Sequence, residues 1–591
     1  MYLIDTDTFE LKYFSTHTEQ KDAYAILSHT WEEGQEVTFE LFKHKESAKT
    51  KNGWAKIAYT VQMARRNGLK YAWVDTCCID KSSSAELSEA INSMFQYYED
   101  ARVCYVYLSD LPNVRSMKGP ESPKSRSASF AKCRWFTRGW TLQELVASRV
   151  VEFYDEGWNH YGTNESLVDA ISSVTNIPSD VLKKKTPLQS VSVACRMSWA
   201  ANRTTTKTED RAYSLLGIFN INMALLYGEG DKAFIRLQEE ICRQTADLSL
   251  FAWKAERLHW GGLIIPGRKA PTSPYLGQVL HGILASSPLQ FAHAGSYIPF
   301  NTGSSGYSGE YTLTNRGVRF DAVTLKCDRE AGRYLMSLDC HDRDSKTANP
   351  LAIRLMKVGS AYVRSHADAL FDWPVGAEGV YEERVYITKL LSSELSEAYS
   401  RSILSIQLPD EGEETQRSFY EIKAVSPKPR WDPLRRSFFL GLGNQLCAMR
   451  VECNLRKFTS SPQPIDQDVF LIVCAAGTPE PHSGGRRDSL NTFIFSPTGP
   501  RKKDKAGAAA PGKFEQYFKD VIEKDELTTL EGQRGLIRLV MHSQVDGTLV
   551  YCSGEKSTPG SARGAAVECH VLGSVGSEGT LNLRIWFTAL G

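Results

Sequence analysis

The sequence lacks a net charge of either sign and a long apolar segment. Its 591 residues contain 70 Lys and Arg against 69 Asp and Glu, which leaves a formal net charge of +1. The most apolar run, Val469–Ala476, is far too short to span a bilayer. The first residues, MYLIDTDTFELKYF, lack the basic and apolar regions of a secretory signal. We therefore expect neither nucleic acid nor a membrane as a partner.

Paired cysteines and the common catalytic motifs are also missing. The 13 cysteines are scattered and odd in number, and none form a CxxC pair. Such usage is typical of reduced thiols in the cytoplasm, and it favours neither a disulfide framework nor a metal site. The motifs GxSxG, HExxH and Walker A do not occur. The function must therefore be sought outside these common motifs.

The length and the changing pattern along the chain indicate three regions. A chain of 591 residues is too long for one core, and its 42% hydrophobic and 24% charged residues are those of an ordinary globular protein. We expect an α/β domain over 1–160, a helical extension over 161–255 and a β-rich region over 256–591. The last region has room for two subdomains, and its Gly/Pro/Lys-rich stretch 479–512 is expected to be a mobile loop.

Four apolar segments of the first region alternate with helical patterns. These segments are Tyr24–His29, Tyr71–Asp75, Val103–Leu108 and Val150–Tyr154. Strands that are apolar throughout predict a parallel sheet covered by helices on both faces. Because such sheets bind ligands beyond the carboxyl ends of their strands, the residues that follow these segments are candidates for a site.

The later regions change from helical to β patterns. Thr206 and Glu209 have the spacing of a capping box for a helix through Phe219, and Asp231 is expected to begin another helix. Between Gly, Pro and Ser turns there follow short β-like runs, which predict a sandwich or barrel: Tyr311–Leu313, Tyr334–Leu338, Arg384–Ile387, Phe470–Cys474, Gly535–Val540 and Leu581–Phe587.

Glu144 is the main candidate for a catalytic residue. It lies three residues after Thr141, the spacing of a capping box, on a short helix that follows Trp135 and begins near Trp140. One interpretation is a helix cap, worth about 1 kcal/mol. The other is a carboxylate that stabilises the oxocarbenium-like transition state of glycosidic bond cleavage. The local pattern leaves both open.

Polar residues follow the first two strands at the same predicted edge. Ser28 and His29 end the first strand, with Trp31 just beyond, and Asp75 follows the second. Asp75 and the nearby Asp80 could bind a metal or ribose hydroxyls, or cap turns.

Three further motifs carry candidate functional residues. Cys77 or Cys78 with His29 could form a thiol nucleophile and its base, or be a buried thiol and a loop histidine. The run Gly228-x-Gly230-x-x-Ala233 matches a dinucleotide fingerprint, but it lies in a helical region and is expected to be a turn between helices. Glu209-Asp210-Arg211 is expected to form a structural ion pair.

Several blocks together resemble the fungal heterokaryon-incompatibility (HET) domain proteins. The order and spacing of the first three blocks are those expected of the family, and the last two extend the likeness to about Trp253. The blocks are YAILSHTW (24–31), YAWVDTCCID (71–80), RWFTRGWTLQEL (134–145), EDRAYSLLGIF (209–219) and LLYGEGDKAFIRLQEEI (225–241).

This resemblance implies a fold and a function. The HET domain is similar to the TIR domain, with a flavodoxin-like order of strands, and implies non-self recognition and regulated cell death in a filamentous fungus. TIR enzymes cleave NAD to nicotinamide and ADP-ribose with a glutamate in a W-x-x-x-E setting, which Trp140 to Glu144 matches. The implied substrate-binding residues are Ser28, His29, Trp31, Asp75, Trp135 and Trp140.

The resemblance also implies partners. NAD is expected as substrate without a further cofactor, activity is expected in a homo-oligomer, and the C-terminal region is expected to sense a protein partner. Because many TIR domains only assemble, a non-enzymatic signalling adaptor is the alternative.

Overall fold

The computed structural model of the protein describes most of residues 1–255 and a smaller share of the chain beyond. The described residues are 1–16, 18–113, 123–255, 280–299, 310–328, 333–347, 349–373, 380–392, 395, 403–407, 420–432, 437–439, 445–454, 467–476, 490–495, 549–553, 560–563, 567–575 and 581–589.

The N-terminal region is built on a seven-stranded sheet. Its strands are β1 (Tyr2–Asp5), β2 (Leu11–Tyr13), β3 (Tyr24–His29), β4 (Tyr71–Trp73), β5 (Val103–Tyr107), β6 (Val151–Tyr154) and β7 (His160–Thr163). The order across the sheet is β2-β1-β4-β3-β5-β6-β7. The four predicted strands are confirmed, each within two residues of its expected bounds.

The sheet is mixed, although a parallel one was expected. The four central strands are parallel, but β1 pairs antiparallel with β4, and β7 pairs antiparallel with β6. Short connections explain why β2 is antiparallel to β1 and β7 to β6, because a parallel crossover needs a dozen or more residues. The antiparallel pairing of β1 with β4 joins strands that are distant in the sequence. The sequence pattern missed β1, β2 and β7 because these short strands carry polar residues.

Helices cover the sheet and continue beyond it. The described helices are α1 (Phe39–Lys43), α2 (Lys45–Ala48), α3 (Gly53–Arg66), α4 (Ser84–Asp100), α5 (Pro123–Ala131), α6 (Trp140–Ala147), α7 (Val168–Thr175), α8 (Ser179–Leu182), α9 (Val193–Ser198), α10 (Asp210–Tyr213), α11 (Leu216–Phe219) and α12 (Lys232–Gln244). Short 3₁₀ turns lie at Thr18–Gln20, Arg134–Thr137, Leu188–Ser190, Leu248–Phe251, Pro288–Phe291 and Lys428–Arg430.

The strand order places these helices on two faces. The crossover from β3 to β4 runs in one direction along the sheet, and those from β4 to β5 and β5 to β6 run in the other. Right-handed crossovers therefore put α3 on one face and α4 and α6 on the opposite face. In agreement, α3 packs against β3 and β4, while α4 and α6 pack against each other.

Helix starts were predicted with mixed success. The predicted cap at Thr206 is wrong, because the helix begins after Glu209 and is broken into α10 and α11. The N-cap of α12 is Asp231, as expected, and its buried side includes Phe234, Leu237 and Ile241. In α4, the Ser83 hydroxyl caps the helix by accepting a hydrogen bond from the Glu86 amide.

The β-rich region contains the strands β8 (Tyr297–Pro299), β9 (Tyr311–Thr314), β10 (Gly317–Asp328), β11 (Arg333–Ser337), β12 (Cys340–Asp342), β13 (Leu351–Val358), β14 (Ala361–Ser365), β15 (Phe371–Asp372), β16 (Val380–Ile387), β17 (Ile403–Gln407), β18 (Tyr420–Ser426), β19 (Trp431–Asp432), β20 (Ser437–Phe439), β21 (Gln445–Asn454), β22 (Gln467–Ala476), β23 (Leu490–Phe495), β24 (Leu549–Ser553), β25 (Gly560–Arg563), β26 (Val567–Val575) and β27 (Leu581–Ala589).

These strands form a closed ring and open sheets. The pairings β11-β10-β16-β14-β13 return to β11 and so close a small barrel. Further sheets follow the orders β19-β20-β17-β27-β26-β25 and β18-β21-β22-β23-β24. The expected strand Gly535–Val540 lies outside the described residues. The loop expected over 479–512 is wrong at Leu490–Phe495, which is β23, and its remainder also lies outside them.

One apolar core runs through the described N-terminal, helical and barrel residues, from Leu3 to Ile387. It crosses both expected boundaries, 160 and 255, without a break. No helix among the described residues has the length and apolar character that crossing a membrane requires.

Candidate functional site

Glu144 lies on α6 at the carboxyl end of β3. Its side chain is 7% exposed, and Ser28, the penultimate residue of β3, donates a hydrogen bond from its hydroxyl to Glu144 Oε2. Trp135 Nε1 in turn donates to Ser28 Oγ at 2.7 Å. The structure thus brings together three of the predicted site residues, Ser28, Trp135 and Glu144.

Tyr98 on α4 is a second polar neighbour of Glu144. Its hydroxyl donates to the Leu27 carbonyl oxygen at 3.0 Å and also lies in hydrogen-bonding contact with Glu144. The contact with Tyr98 lowers the pKa of Glu144, so it favours the ionised carboxylate, as the hydrogen bond from Ser28 does.

The electrostatics of the site agree with a protonated carboxyl. Burial is the largest influence and raises the pKa of Glu144 to about 8, and the negative charge of Asp75 acts in the same direction. The hydrogen bond from Ser28 opposes this rise. At neutral pH most molecules therefore carry a neutral acid at this position.

Glu144 is not the partner of a capping box, which corrects one interpretation of its pattern. The N-cap of α6 is Gly139, and it makes no side-chain capping bond. The Thr141 hydroxyl donates instead to the carbonyl oxygens of Trp135, at 2.6 Å, and Arg138, at 3.0 Å. A Cβ on Gly139 would lie 2.5 Å from Thr205 Cγ2, so close packing against a distant loop selects glycine here.

Arg203, from the helical region, forms hydrogen bonds that hold the loop before α6 in position. Its Nη1 donates to the Arg138 carbonyl oxygen at 2.9 Å and to Thr141 Oγ1 at 3.0 Å. Two backbone bonds add to this contact: Thr204 to Thr137 at 2.7 Å and Gly139 to Thr204 at 2.9 Å. The position of Glu144 thus depends on residues about 60 positions later in the chain.

His29 belongs to a second cluster, because successive side chains of a strand point to opposite faces. The two imidazole nitrogens of His29 face carboxylates: Nε2 lies 3.5 Å from Glu36 Oε2, and Nδ1 lies 3.8 Å from Asp75 Oδ1. Lys56 on α3 donates to Glu36 Oε1 at 2.5 Å. Burial opposes ionisation of Glu36, but the hydrogen bonds from His29 and Lys56 outweigh it and lower its pKa to about 2.

Trp31 links this cluster to the surface. Its Nε1 donates to Asp75 Oδ2 at 2.9 Å, and 40% of the residue is exposed. The Lys81 ammonium lies 3.8 Å from the centre of the Trp31 ring, and Arg134 Nη2 donates to the Trp31 carbonyl oxygen at 3.1 Å. Asp75 therefore joins Trp31 and His29.

Trp140 is the one predicted substrate-binding residue whose polar contact leads away from these clusters. Its Nε1 donates to Asp210 Oδ2 at 3.2 Å, and the Tyr227 hydroxyl donates to Asp210 Oδ1 at 3.0 Å. Trp140 thus contacts the helical region instead of Glu144.

The motif Glu209-Asp210-Arg211 makes structural contacts, including the expected ion pair. Glu209 Oε1 accepts the amides of Gly228, at 2.7 Å, and Gly230, at 3.1 Å. Arg211 pairs with Asp231 at 3.4 Å. The glycine run, with φ of +104° and +61° at the two glycines, is the expected turn before α12.

The thiol alternative finds little support in the geometry. Cys77 and Cys78 are buried, and burial raises the pKa of the Cys77 thiol well above its ordinary value. A thiolate is therefore disfavoured, and His29 is directed at carboxylates. Asp80 accepts the Ser82 amide at 3.0 Å, which is a turn contact. Among the described residues, no cluster of three His, Cys, Asp or Glu side chains could hold a metal ion.

Sequence reasoning missed several residues of these clusters. Tyr98 lies on the buried side of α4, where a tyrosine is typical of a core position, and Glu36 and Lys56 carry no motif. Arg134 begins one of the blocks quoted for the resemblance and Lys81 directly follows another, which is the one signal that could have singled them out.

Two segments of the chain match described protein families. Residues 24–129 match the family described as "Heterokaryon incompatibility protein (HET)", and residues 232–330 match "Domain of unknown function (DUF8212)". Over 228 residues the chain is 49% identical to Vegetative incompatibility protein HET-E-1 of Podospora anserina. The match covers 38% of this chain and 16% of that protein. No solved structure matches the chain.

Proposed function

We propose, on the premise that the N-terminal part of this chain is a HET domain, that the protein acts in fungal non-self recognition and regulated cell death. The family match and the identity to a vegetative incompatibility protein support this role. The match spans about a sixth of that relative, so we infer nothing about this chain from the unmatched part of the relative. The cytoplasm is the proposed location, which the nine free, buried cysteines of the described region support.

The proposed biochemical activity is hydrolysis of NAD in a TIR-like module when copies of the chain assemble. The order of the parallel strands supports the fold assignment. Numbered along the chain, β3, β4, β5 and β6 stand in the order 2-1-3-4, which is the start of the flavodoxin-like order. The direction of the crossovers reverses at β3, where doubly wound sheets bind ligands, and β3 ends in Ser28 and His29.

Glu144 is the proposed catalytic residue. The bond between nicotinamide and ribose C1 breaks, and the neutral nicotinamide leaves with the bonding electrons. Water then adds its oxygen to the ribosyl cation and releases a proton. A carboxylate stabilises that cation, so the ionised form of Glu144 is the active one. The observation that carries this proposal is the hydrogen bond from Ser28, at the end of the first parallel strand, to Glu144.

Release of nicotinamide from NAD by the purified full chain tests this activity. Glu144→Gln keeps the size of the side chain and its contact with Ser28 but removes the charge, so turnover is expected to fall by about 10²-fold or more. Glu89→Gln, at an exposed position of α4, is the matched control and should retain wild-type turnover. Equal turnover in wild type and Glu144→Gln would refute the role of Glu144.

A non-enzymatic adaptor that acts by self-association is the second candidate. It is favoured by the satisfied hydrogen bonds of Glu144, which Ser28 and Tyr98 contact within a nearly closed site. Absence of nicotinamide release by wild type, at concentrations where light scattering detects oligomers, would select this candidate. In either case the C-terminal region is the proposed contact for a protein partner.

A further inference from the structure

We propose that Lys81, Arg134 and Asp75, arranged around Trp31, form the subsite for the ADP-ribose part of a dinucleotide. The two cations would bind the pyrophosphate, and Asp75 would accept a hydrogen bond from a ribose hydroxyl. The identity of the ligand rests on the proposed function, but its binding can be measured without any turnover.

The two cations are exposed and available. Lys81 and Arg134 are both exposed, and each contacts Trp31, one at its ring and the other at its carbonyl oxygen. In the described part of the chain, neither side chain has a carboxylate within ion-pair distance. By contrast, the nearby Lys56 is fully engaged with Glu36 and the Thr30 carbonyl oxygen. The charges of Asp75 and Glu36 act on Lys81 from a longer distance, so Trp31 holds two cations that no ion pair of the described residues fixes in place.

Near these cations lies a carboxylate oxygen, Asp75 Oδ1, that faces His29 Nδ1 at 3.8 Å without a hydrogen bond. Asp75 Oδ2 accepts from Trp31, but the buried Oδ1 has no hydrogen-bond partner among the described residues. The hydroxyl oxygen of the adjacent Thr76, which is 3% exposed, is likewise buried without a partner. Native proteins satisfy nearly all buried polar atoms, so these atoms of two consecutive residues leave hydrogen-bonding positions that the hydroxyl groups of a ligand could fill.

The two cations and the carboxylate oxygen of Asp75 together match one class of ligand. A pyrophosphate diester carries two negative charges, which match two cations, and an arginine can bind its oxygens through two hydrogen bonds. A ribose supplies the donor that a free carboxylate oxygen requires. Inorganic anions match the cations but offer Asp75 no hydroxyl, whereas a nucleoside diphosphate sugar satisfies both.

The subsite also lies beside Glu144. Asp75 is near enough for its charge to act on the Glu144 carboxyl, and Trp135, which donates to Ser28, is the neighbour of Arg134 in sequence. A ligand with its pyrophosphate at Lys81 and Arg134 would therefore place its terminal ribose toward Ser28 and Glu144.

Calorimetric titration of the full chain with ADP-ribose and, separately, with inorganic pyrophosphate tests the subsite. Lys81→Gln and Arg134→Gln are expected to weaken both ligands about tenfold each. Asp75→Asn should weaken ADP-ribose about tenfold and leave pyrophosphate nearly unchanged. Lys207→Gln is the matched control, because Lys207 also lies over an exposed ring, 4.0 Å from Tyr227, and should bind as wild type does.

The outcomes separate this inference from the proposed activity. The inference is overturned if wild type does not bind ADP-ribose, or if Lys81→Gln and Arg134→Gln bind it as wild type or no worse than Lys207→Gln. If the protein releases nicotinamide but these binding results are obtained, the proposed activity stands and the proposed subsite is rejected. Specific binding by wild type and Glu144→Gln, without any nicotinamide release, would support the subsite and reject hydrolysis.

Discussion

The chemistry of Glu144 depends on its protonation state. Burial and the charge of Asp75 favour the neutral acid, whereas the hydrogen bonds from Ser28 and Tyr98 favour the carboxylate, and burial has the larger effect. The sequence singled out Ser28, Trp135 and Glu144 because they lie near strand ends and helix starts. It could not reveal Tyr98, since a tyrosine on an apolar helix stripe looks like any other core residue.

A protonated Glu144 makes stability depend on pH in a defined direction. Its folded-state pKa of about 8 lies above the ordinary value of 4.5, so its contribution is complete below pH 4.5 and is lost as pH rises toward 8. Relative to Glu144→Gln, wild type should lose about 3–5 kcal/mol of unfolding free energy between pH 5 and pH 8. Urea unfolding of both proteins across this range measures the difference. A constant difference would contradict the assignment of a neutral acid.

At the scale of elements, contacts between helices distant in sequence set the geometry of the site. The four central strands were predictable because long apolar runs specify buried parallel strands. The start of α6 near Trp140 was predictable too, but its capping was not, because Gly139 and Thr141 contact Thr205 and Arg203. Local spacing suggested a capping box, and a contact from about 60 residues downstream replaced it.

The packing of α11 on α4 offers a test at this scale. A Cβ at Gly217 would lie 2.1 Å from Phe95 Cβ, which belongs to a helix and cannot move away easily. Gly217→Ala should therefore lower stability by about 1–3 kcal/mol. Gly295→Ala is the control, since its Cβ would meet its nearest neighbour, Ser198 Oγ, at an ordinary 3.7 Å. Thermal unfolding measures both, and Gly217→Ala should cost less in a Phe95→Gly background, which lacks the clashing Cβ, if this clash is the cause of the penalty.

At the scale of the whole molecule, the helical region packs into the β barrel. Trp253 Nε1 donates to the Ile283 carbonyl oxygen at 2.7 Å. Arg364 on β14 is fully buried and donates to the carbonyl oxygens of Phe251, at 2.9 Å, and Trp253, at 2.5 Å. Changes in sequence pattern located the three regions. They could not show a shared core, because its contacts join residues more than 100 positions apart.

The variant Arg364→Met tests how much this contact between the helical region and the β barrel contributes to stability. Methionine fills much of the space of the arginine stem but leaves the carbonyl oxygens of Phe251 and Trp253 without donors, so stability should fall by about 2–4 kcal/mol. Arg316→Met is the matched surface control, because Arg316 is exposed and lies 4.4 Å from the Tyr386 ring. Denaturant unfolding measures the stability of the two variants. Equal stabilities would show that Arg364 does not stabilise the contact between the helical region and the barrel.

The pH dependence of nicotinamide release tests the central claim most directly, namely that ionised Glu144 acts on NAD at the end of β3. Because the pKa of Glu144 is raised to about 8, the carboxylate fraction increases between pH 6 and pH 8. The rate for the wild-type protein should rise over this range, while Glu144→Gln stays inactive at every pH. A wild-type rate that is independent of pH, or a Glu144→Gln rate that follows the same curve, would contradict the account.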